Sequence, residues 1–305
     1  MEFRITAQDS DTRARCGSLQ LSHGTVRTPA FAPVGTRASV KGLTPGQLCE
    51  CGTQIVLANA YHLELSPGAE LVERLGGLHR FMAWDGPIIT DSGGYQVFSL
   101  ADLRRITDEG VEFRSPLDGS TMFLGPREAT RIQNRLGADI AMAFDECPPD
   151  PSDRKQAEAA VERTLRWARL CREAHTRQDQ ALFGIVQGGV FEDLRSRCAE
   201  ELICMGFDGY AVGGVSVGEA PQMRERAVRI SGPLLPPGRP HYLMGVGFPP
   251  DLLRAVGEGM DLFDCVYPTR IARNAQALTR RGPLNLRLAR NERDQRPLDP
   301  ECGCR

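Results

Sequence analysis

The sequence predicts an α/β protein built on a closed eight-stranded parallel barrel, the (β/α)8 or TIM-barrel architecture. Three observations carry this. Short apolar runs alternate with longer amphipathic segments along the 305 residues. Several runs are continuously apolar instead of alternating, which suits strands buried on both faces of a parallel sheet. Eight such runs can be counted, at 39–42, 54–60, 87–91, 139–145, 182–187, 209–215, 241–246 and 261–266. Eight favours closure, with a doubly wound open sheet as the alternative.

The elements follow in order. Residues 1–38 read as short strands joined by turns, with Ser22-His23-Gly24 as one turn signal, so an N-terminal β cap is expected there. A helix is expected over 67–75, opened by Pro67 and stopped by Gly76-Gly77. The stretch 101–124, after the third run, breaks the rhythm. Its segments 111–114 and 121–124 flank Asp118-Gly119, which predicts a β-hairpin insertion on the face where the strands end. Helices are expected over 126–136 (stopped by Gly137), 153–177 (amphipathic, with Trp167 on the apolar side), 191–205 (stopped by Gly206), 221–231 and 249–258. The last run, 261–266, has no clear helix after it. The whole of 1–305 is expected to form a single barrel domain.

Bulk properties narrow the function class. Hydrophobic residues make up 41% of the chain, enough for a large core, yet no apolar run reaches the roughly 18 residues of a membrane span. The N-terminus lacks a cationic start followed by an apolar stretch, so no secretory signal is expected. The ten cysteines show no paired framework, which predicts free thiols in a reducing cytoplasm. Net charge is −2, which argues mildly against a dedicated nucleic-acid binder. The charge is uneven, however. Residues 266–305 hold nine arginines against four acids, a local excess of +5 that can serve phosphates or can simply be a solvated surface.

Polar residues gather where a barrel enzyme places its chemistry. Asp91, Asp145, Gln187, the Gly213-Gly214 pair and Asp264 lie at or near the ends of five different runs. An acid after a strand can instead cap the next helix. That alternative strains for Asp264, embedded in Leu262-Phe263-Asp264-Cys265-Val266, where an acid is costly unless paired or functional. His62, His79 and His241 are scattered, and there is no phosphate-binding G-x-x-x-x-G-K-[ST], so metal hydrolysis and nucleotide triphosphate chemistry are disfavoured. Two carboxylates in one pocket suit glycosidic chemistry, one attacking the anomeric carbon and one handling a proton. A third carboxylate with a Gln and a backbone N–H can read a purine edge: N1–H and the 2-amino group by the carboxylate, O6 by the amides.

At these residues the chain resembles the queuine tRNA-ribosyltransferase (tRNA-guanine transglycosylase) family, bacterial type. The matching stretches are TPAFAPVGT, VKGLTP, WDGPIITDSGGYQVFSL, AFDECPP, GIVQGG, GYAVGGVSVGE, YLMGVG and LFDCVYPTRIARNAQALTR, in the family's order from about residue 20 onward. The resemblance implies a TIM barrel and the replacement of guanine at wobble position 34 of GUN-anticodon tRNAs (Asp, Asn, His and Tyr acceptors) by preQ1, 7-aminomethyl-7-deazaguanine, in queuosine biosynthesis. It implies Asp264 as the nucleophile at ribose C1′ and Asp91 as the general acid/base. Asp145 would read N1–H and the amino edge, and Gln187 and the Gly214 backbone would read O6. Ser92, Gly93 and Gly94 would line the base site, Tyr95 and Met244 would sandwich the base, and Val217 would face its 7-substituent. Contacts to tRNA are implied for the loop Gly245-Val246-Gly247-Phe248-Pro249-Pro250-Asp251 and for Thr269, Arg270, Ile271, Ala272 and Arg273.

The resemblance also implies a homodimer and one structural zinc per subunit. Cys302 and Cys304 match the first two ligands of a C-x-C-x2-C…His site. Residues 280–305 therefore read as the remnant of an incomplete zinc subdomain that does not hold stoichiometric metal. Some positions depart from the pattern: Ala58 and Ala60 for Gly and Thr, Tyr95 for Phe, Pro116 for His, Tyr267 for Leu or Met. Tuning is expected from these, not loss. Two readings compete with the enzyme, a non-catalytic tRNA-binding partner subunit and an inactive truncated form. The three acids disfavour the first. The rim arginines disfavour a third idea, a nucleoside hydrolase.

Overall fold

The computed structural model describes residues 1–99 and 104–303. The barrel strands are β1 (Ala30–Pro33), β2 (Val56–Asn59), β3 (Ile88–Asp91), β4 (Ile140–Met142), β5 (Ala181–Val186), β6 (Gly209–Val212), β7 (His241–Leu243) and β8 (Leu262–Cys265). They pair in parallel in the order β1-β8-β7-β6-β5-β4-β3-β2. A parallel bridge between Val34 and Leu57 joins the two ends, so the sheet curls into a barrel and the open doubly wound alternative falls away.

Burial explains the continuous apolar runs. Every residue of β2 through β7 is buried. Leu57, Ile89, Ile140, Phe183, Ile185 and Tyr242 fill the barrel interior. Alternate neighbours such as Val56, Ile88, Leu182 and Leu243 pack outward against the helices. Both faces of each strand therefore demand apolar side chains.

A three-stranded antiparallel sheet of Glu2–Gln8, Arg15–Leu21 and Gly24–Thr28 packs against that interior through Leu19, Leu21 and Val26. Two acids that precede barrel strands tie it down. Asp261 receives Arg15 Nε at 2.9 Å and Nη2 at 2.6 Å, both groups buried. Asp139 accepts the backbone N–H of His23 and of Ile88 at 2.9 Å each. The rings of His23 and His79 stack 3.5 Å apart and meet the same carboxylate at 3.0 and 2.9 Å. Acids before the strands thus hold the cap, and acids after them face the opposite end, where barrel enzymes keep their chemistry.

The structure departs from the sequence reading in several places, and it adds two short helices, Pro45–Glu50 and Gly77–Met82, that the reading did not contain. Residues 39–42 form bends and a turn; the first barrel strand is Ala30–Pro33, within the expected cap. Pro29 precedes this strand and Pro33 ends it, which disguises it, because proline reads as a strand terminator. Its partner is β8, with Ala32 opposite Asp264. The helix expected over 67–75 begins at Ala69, after a separate helix, Ala60–Leu65, that Asn59 caps. The expected hairpin forms in register, Val111 opposite Leu124, with a third strand, Arg104–Ile106, added; its residues 101–103 lie outside the described residues. A short helix, Tyr267–Arg273, does follow β8, and a hairpin of Gln276–Thr279 and Gly282–Asn285 succeeds it. The remaining helices form where expected, Pro126–Leu136 and Pro221–Ser231 at the same bounds, while the one expected over 153–177 runs Arg154–Ala174. Among the described residues no helix is long and apolar enough to cross a membrane.

Candidate active site

Strand ends deliver each polar group. Asp91 closes β3 beside Asn59, its register partner at the end of β2. Asn59 Nδ2 and Gln96 Nε2 (3.0 Å) donate to Asp91 Oδ2, and the Ala60 N–H donates to Oδ1 at 2.9 Å. The chain turns sharply afterwards at Gly93, whose φ is +79° and where a Cβ would lie 2.9 Å from that of Tyr61. Asp264 lies within β8. Its Oδ1 accepts the Tyr242 hydroxyl at 2.6 Å and the Gly245 N–H at 2.8 Å. Both known partners fall on one oxygen, which leaves Oδ2 the freer of the two.

Asp145, past β4, forms a second polar group with Gln187, which follows β5. Gln187 Nε2 donates to Asp145 Oδ2 at 2.7 Å. Gln187 Oε1 is buried without a partner among the described residues. The Gly-Gly pair after β6 fits only because it lacks side chains. A Cβ on Gly213 would sit 2.8 Å from Gln187 Nε2, and one on Gly214, at φ +66°, would sit 2.4 Å from Gln187 Oε1. Ser92 is buried, its Oγ accepts the Gly94 N–H at 3.2 Å, and a Cβ on Gly94 would lie 2.8 Å from the Asp145 carbonyl. The two polar groups therefore share one end of the barrel.

Electrostatics separates the acids. Burial pushes Asp91 up to about 7 against the pull of the Ala60 N–H, and the charge of Asp264 adds to the rise. Burial likewise raises Asp145 to about 6, opposed mainly by Gln187. Asp264 is raised by burial too, but the Tyr242 hydroxyl and Gly245 N–H pull it back. Asp91 is poised to exchange a proton at neutral pH, while the two hydrogen bonds to Asp264 favour its charged form against burial. Paired carboxylates tuned apart in this way suit substitution at a glycosidic carbon.

Comparison with known proteins agrees with the geometry. Residues 9–305 match the model of the family described as Queuine tRNA-ribosyltransferase. A protein of that name from Pelotomaculum thermopropionicum is 57% identical over 304 residues, covering 100% of this chain and 82% of its own length. Those from Halothermothrix orenii and Gloeobacter violaceus are 55% and 57% identical, with 82% and 81% of their lengths covered. The chain belongs to the queuine tRNA-ribosyltransferase family. It is an enzyme of the glycosyl-transferring class which that name describes.

The other residues that the family resemblance singles out lie around this end. Tyr95 is largely exposed on the helix Gly94–Ser99, and Met244, past β7, packs on the barrel interior. Val217 is half-buried in a loop fixed by Glu219, which accepts the N–H groups of Ser216 (2.6 Å) and Val217 (2.8 Å). In the loop after Met244, the Gly245 N–H is committed to Asp264 and Val246 is buried. Gly247 packs so closely on Cys265 that a Cβ would lie 2.4 Å away. Phe248, Pro249 and Pro250 are exposed, and Asp251 is held by Arg224 at 2.7 Å. On the helix after β8, Arg270, Ala272 and Arg273 are exposed. Ile271 turns inward, and the Thr269 hydroxyl is spent on Val266 O.

Sequence reading did not assign Asn59, Tyr242, Glu219 or Arg195. A signal existed for Tyr242: strand alternation puts it in the interior, where a hydroxyl must find a partner. For zinc, the residues present do not fit a closed tetrahedral site. Cys302 is exposed and Cys304 lies outside the described residues. Among the described residues, the one His/Cys/Asp/Glu trio whose ligand atoms converge is His23, His79 and Asp139, whose facing atoms are engaged in the contacts that hold the cap.

Proposed function

We propose that this enzyme exchanges guanine 34 of GUN-anticodon tRNAs for preQ1 through a covalent Asp264–ribose intermediate. Asp264 Oδ2 attacks C1′ while the glycosidic C1′–N9 bond breaks. The electron pair of that bond goes to N9 of guanine, and the proton on Asp91 neutralises it. After guanine leaves, the deazaguanine takes its place, Asp91 accepts its N9 proton, and N9 displaces the carboxylate from C1′. Net base exchange consumes no water. Asp145 reads N1–H and the 2-amino group, and Gln187 and the Gly214 N–H read O6. The target base must leave its stack to enter such a pocket.

The observation that carries this reading is the contrast between the acids. Asp264 is anchored through one oxygen by Tyr242 and Gly245, while Asp91, in the same pocket, is raised to about 7. The test is Asp264→Asn. Base exchange should fall by several orders of magnitude, and no denaturant-stable tRNA adduct should form, with the fold intact. An Asn variant that still forms the adduct removes Asp264 from the role.

A further inference from the structure

Arg195, on the helix Glu192–Met205, has no exposed surface and lies beneath the base-reading residues. Its partners among the described residues are neutral oxygens. Nε donates to Gly189 O at 2.6 Å, Nη1 to Val186 O at 3.3 Å and Ser231 Oγ at 3.2 Å, and Nη2 to Gly213 O at 3.1 Å. Burial lowers its pKa to about 10, so it remains charged at neutral pH. Glu219 acts on it only as a more distant charge, and a buried cation with no carboxylate in direct contact among the described residues is expensive. The sequence makes room for it, since a Cβ on Gly188 would lie 2.8 Å from Arg195 Cγ.

The carbonyls that it holds belong to two particular segments. Val186 and Gly189 bracket Gln187 after β5, and Gly213 precedes Gly214 after β6. In a planar trans peptide the C=O and the following N–H point in opposite directions. Because Gly213 O faces the guanidinium, the Gly214 N–H faces away from it, towards the Cys147 thiol. That thiol lies beside Asp145 and Gln187. A cation on the carbonyl draws electron density from the amide and strengthens its N–H as a donor, as in hydrogen-bond chains generally.

We propose that Arg195 is the positioning residue for the oxygen-reading half of the base site. It fixes the spacing of Gln187 and Gly214 and polarises the Gly213–Gly214 peptide toward a ring carbonyl of the bound base. This rests on the base-site reading above. A guanidinium suits the task because its planar fork reaches several carbonyls at once, where an ammonium is a single point of charge.

The experiment compares guanine with 2-aminopurine, which lacks the ring oxygen and the N1 hydrogen, each purine being read as the change from wild type to Arg195→Lys. Dissociation constants come from equilibrium titration, with kcat and KM for guanine exchange and a denaturation midpoint measured alongside. Arg195→Lys should weaken guanine by about tenfold or more and leave 2-aminopurine within about twofold, with KM rising more than kcat falls. Equal losses for both purines, or none, would mean that Arg195 only holds the barrel together. If Arg195→Lys does not fold, Ser231→Ala removes one anchor of the guanidinium. It should then weaken guanine by about two- to fourfold, again without affecting 2-aminopurine. An unchanged ratio in that variant overturns the proposal. Wild type that binds neither purine overturns the base-site reading itself, whereas tight wild-type binding of guanine with unaffected variants overturns only the role of Arg195.

Discussion

At the scale of single residues, the three acids stood out in the sequence because they end separate apolar runs that a barrel brings to one end, although any one of them alone could have been a helix cap. The apolar runs alone divided no roles among them; the family resemblance implied a division, and what surrounds each acid in the fold bears on it. Asp91 is raised to about 7 and Asp145 to about 6, with burial the main cause in both. On the proposed reading Asp145 accepts two donors from guanine and must be ionised to do so, and lowering the pH through about 6 protonates it. Guanine affinity should therefore hold above that pH and fall below it, approaching roughly tenfold per pH unit. Titrations from pH 5 to 8 check this, with Asp145→Asn weak and flat throughout. A wild-type affinity unchanged at pH 5 would contradict the assignment. The same two shifts carry a stability sign. Both folded pKa values lie above the usual 3.8, so these acids favour the fold fully only below that pH, and the contribution is lost as pH rises from there through about 6 and 7.

At the scale of elements, seven of the eight strands were legible because burial on both faces writes a continuous apolar run. The first was not, since Ala30–Pro33 is four residues long and framed by prolines, and its membership is set by its distant partner β8. The helix Tyr267–Arg273 escaped for a similar reason: it is seven residues long, with Ile271 as its one buried residue and so no apolar stripe. Tyr242 and Glu219 also escaped, because a tyrosine in an apolar run reads as core and a glutamate after glycines reads as loop. Glu219 fixes the backbone of Ser216 and Val217, so the Val217 side chain is presented on a braced loop. On the proposed reading it limits the 7-substituent of the incoming base. Wild type should then incorporate preQ1 and reject queuine, whose cyclopentenediol would overpack the site at about 1–3 kcal/mol. Val217→Gly should admit queuine, with a backbone cost of roughly 0.5–1 kcal/mol in stability. Comparing incorporation of the two bases into tRNA checks both statements, and efficient queuine use by the wild type would refute the first.

Across the whole molecule, charge is distributed along the same axis as the chemistry. The cap end is pinned by Arg15 with Asp261 and by the histidines with Asp139, contacts internal to the fold. The segment from 266 onward carries the excess of +5 on a chain whose net charge is −2. Its first helix starts two residues after β8, which places exposed Arg270 and Arg273 one turn apart beside the strand that carries Asp264. On the proposed reading these two guanidinium groups meet the phosphates that flank the target nucleotide. Each phosphate neutralised releases condensed counterions, so tRNA affinity should fall with salt at a slope of about 0.7–0.9 per contact. Arg273 Nη1 already donates to Lys41 O at 3.1 Å, which preorders it for contact without spending its charge. The double variant Arg270→Ala/Arg273→Ala should therefore weaken tRNA binding and lower the salt slope by about 1.5, while free guanine binds as in the wild type. Titrations of tRNA at 50 and 200 mM salt, with guanine as the control ligand, make the measurement. An unchanged slope would place the phosphates elsewhere, and a parallel loss of guanine affinity would mean that the helix shapes the base site and does not hold the backbone.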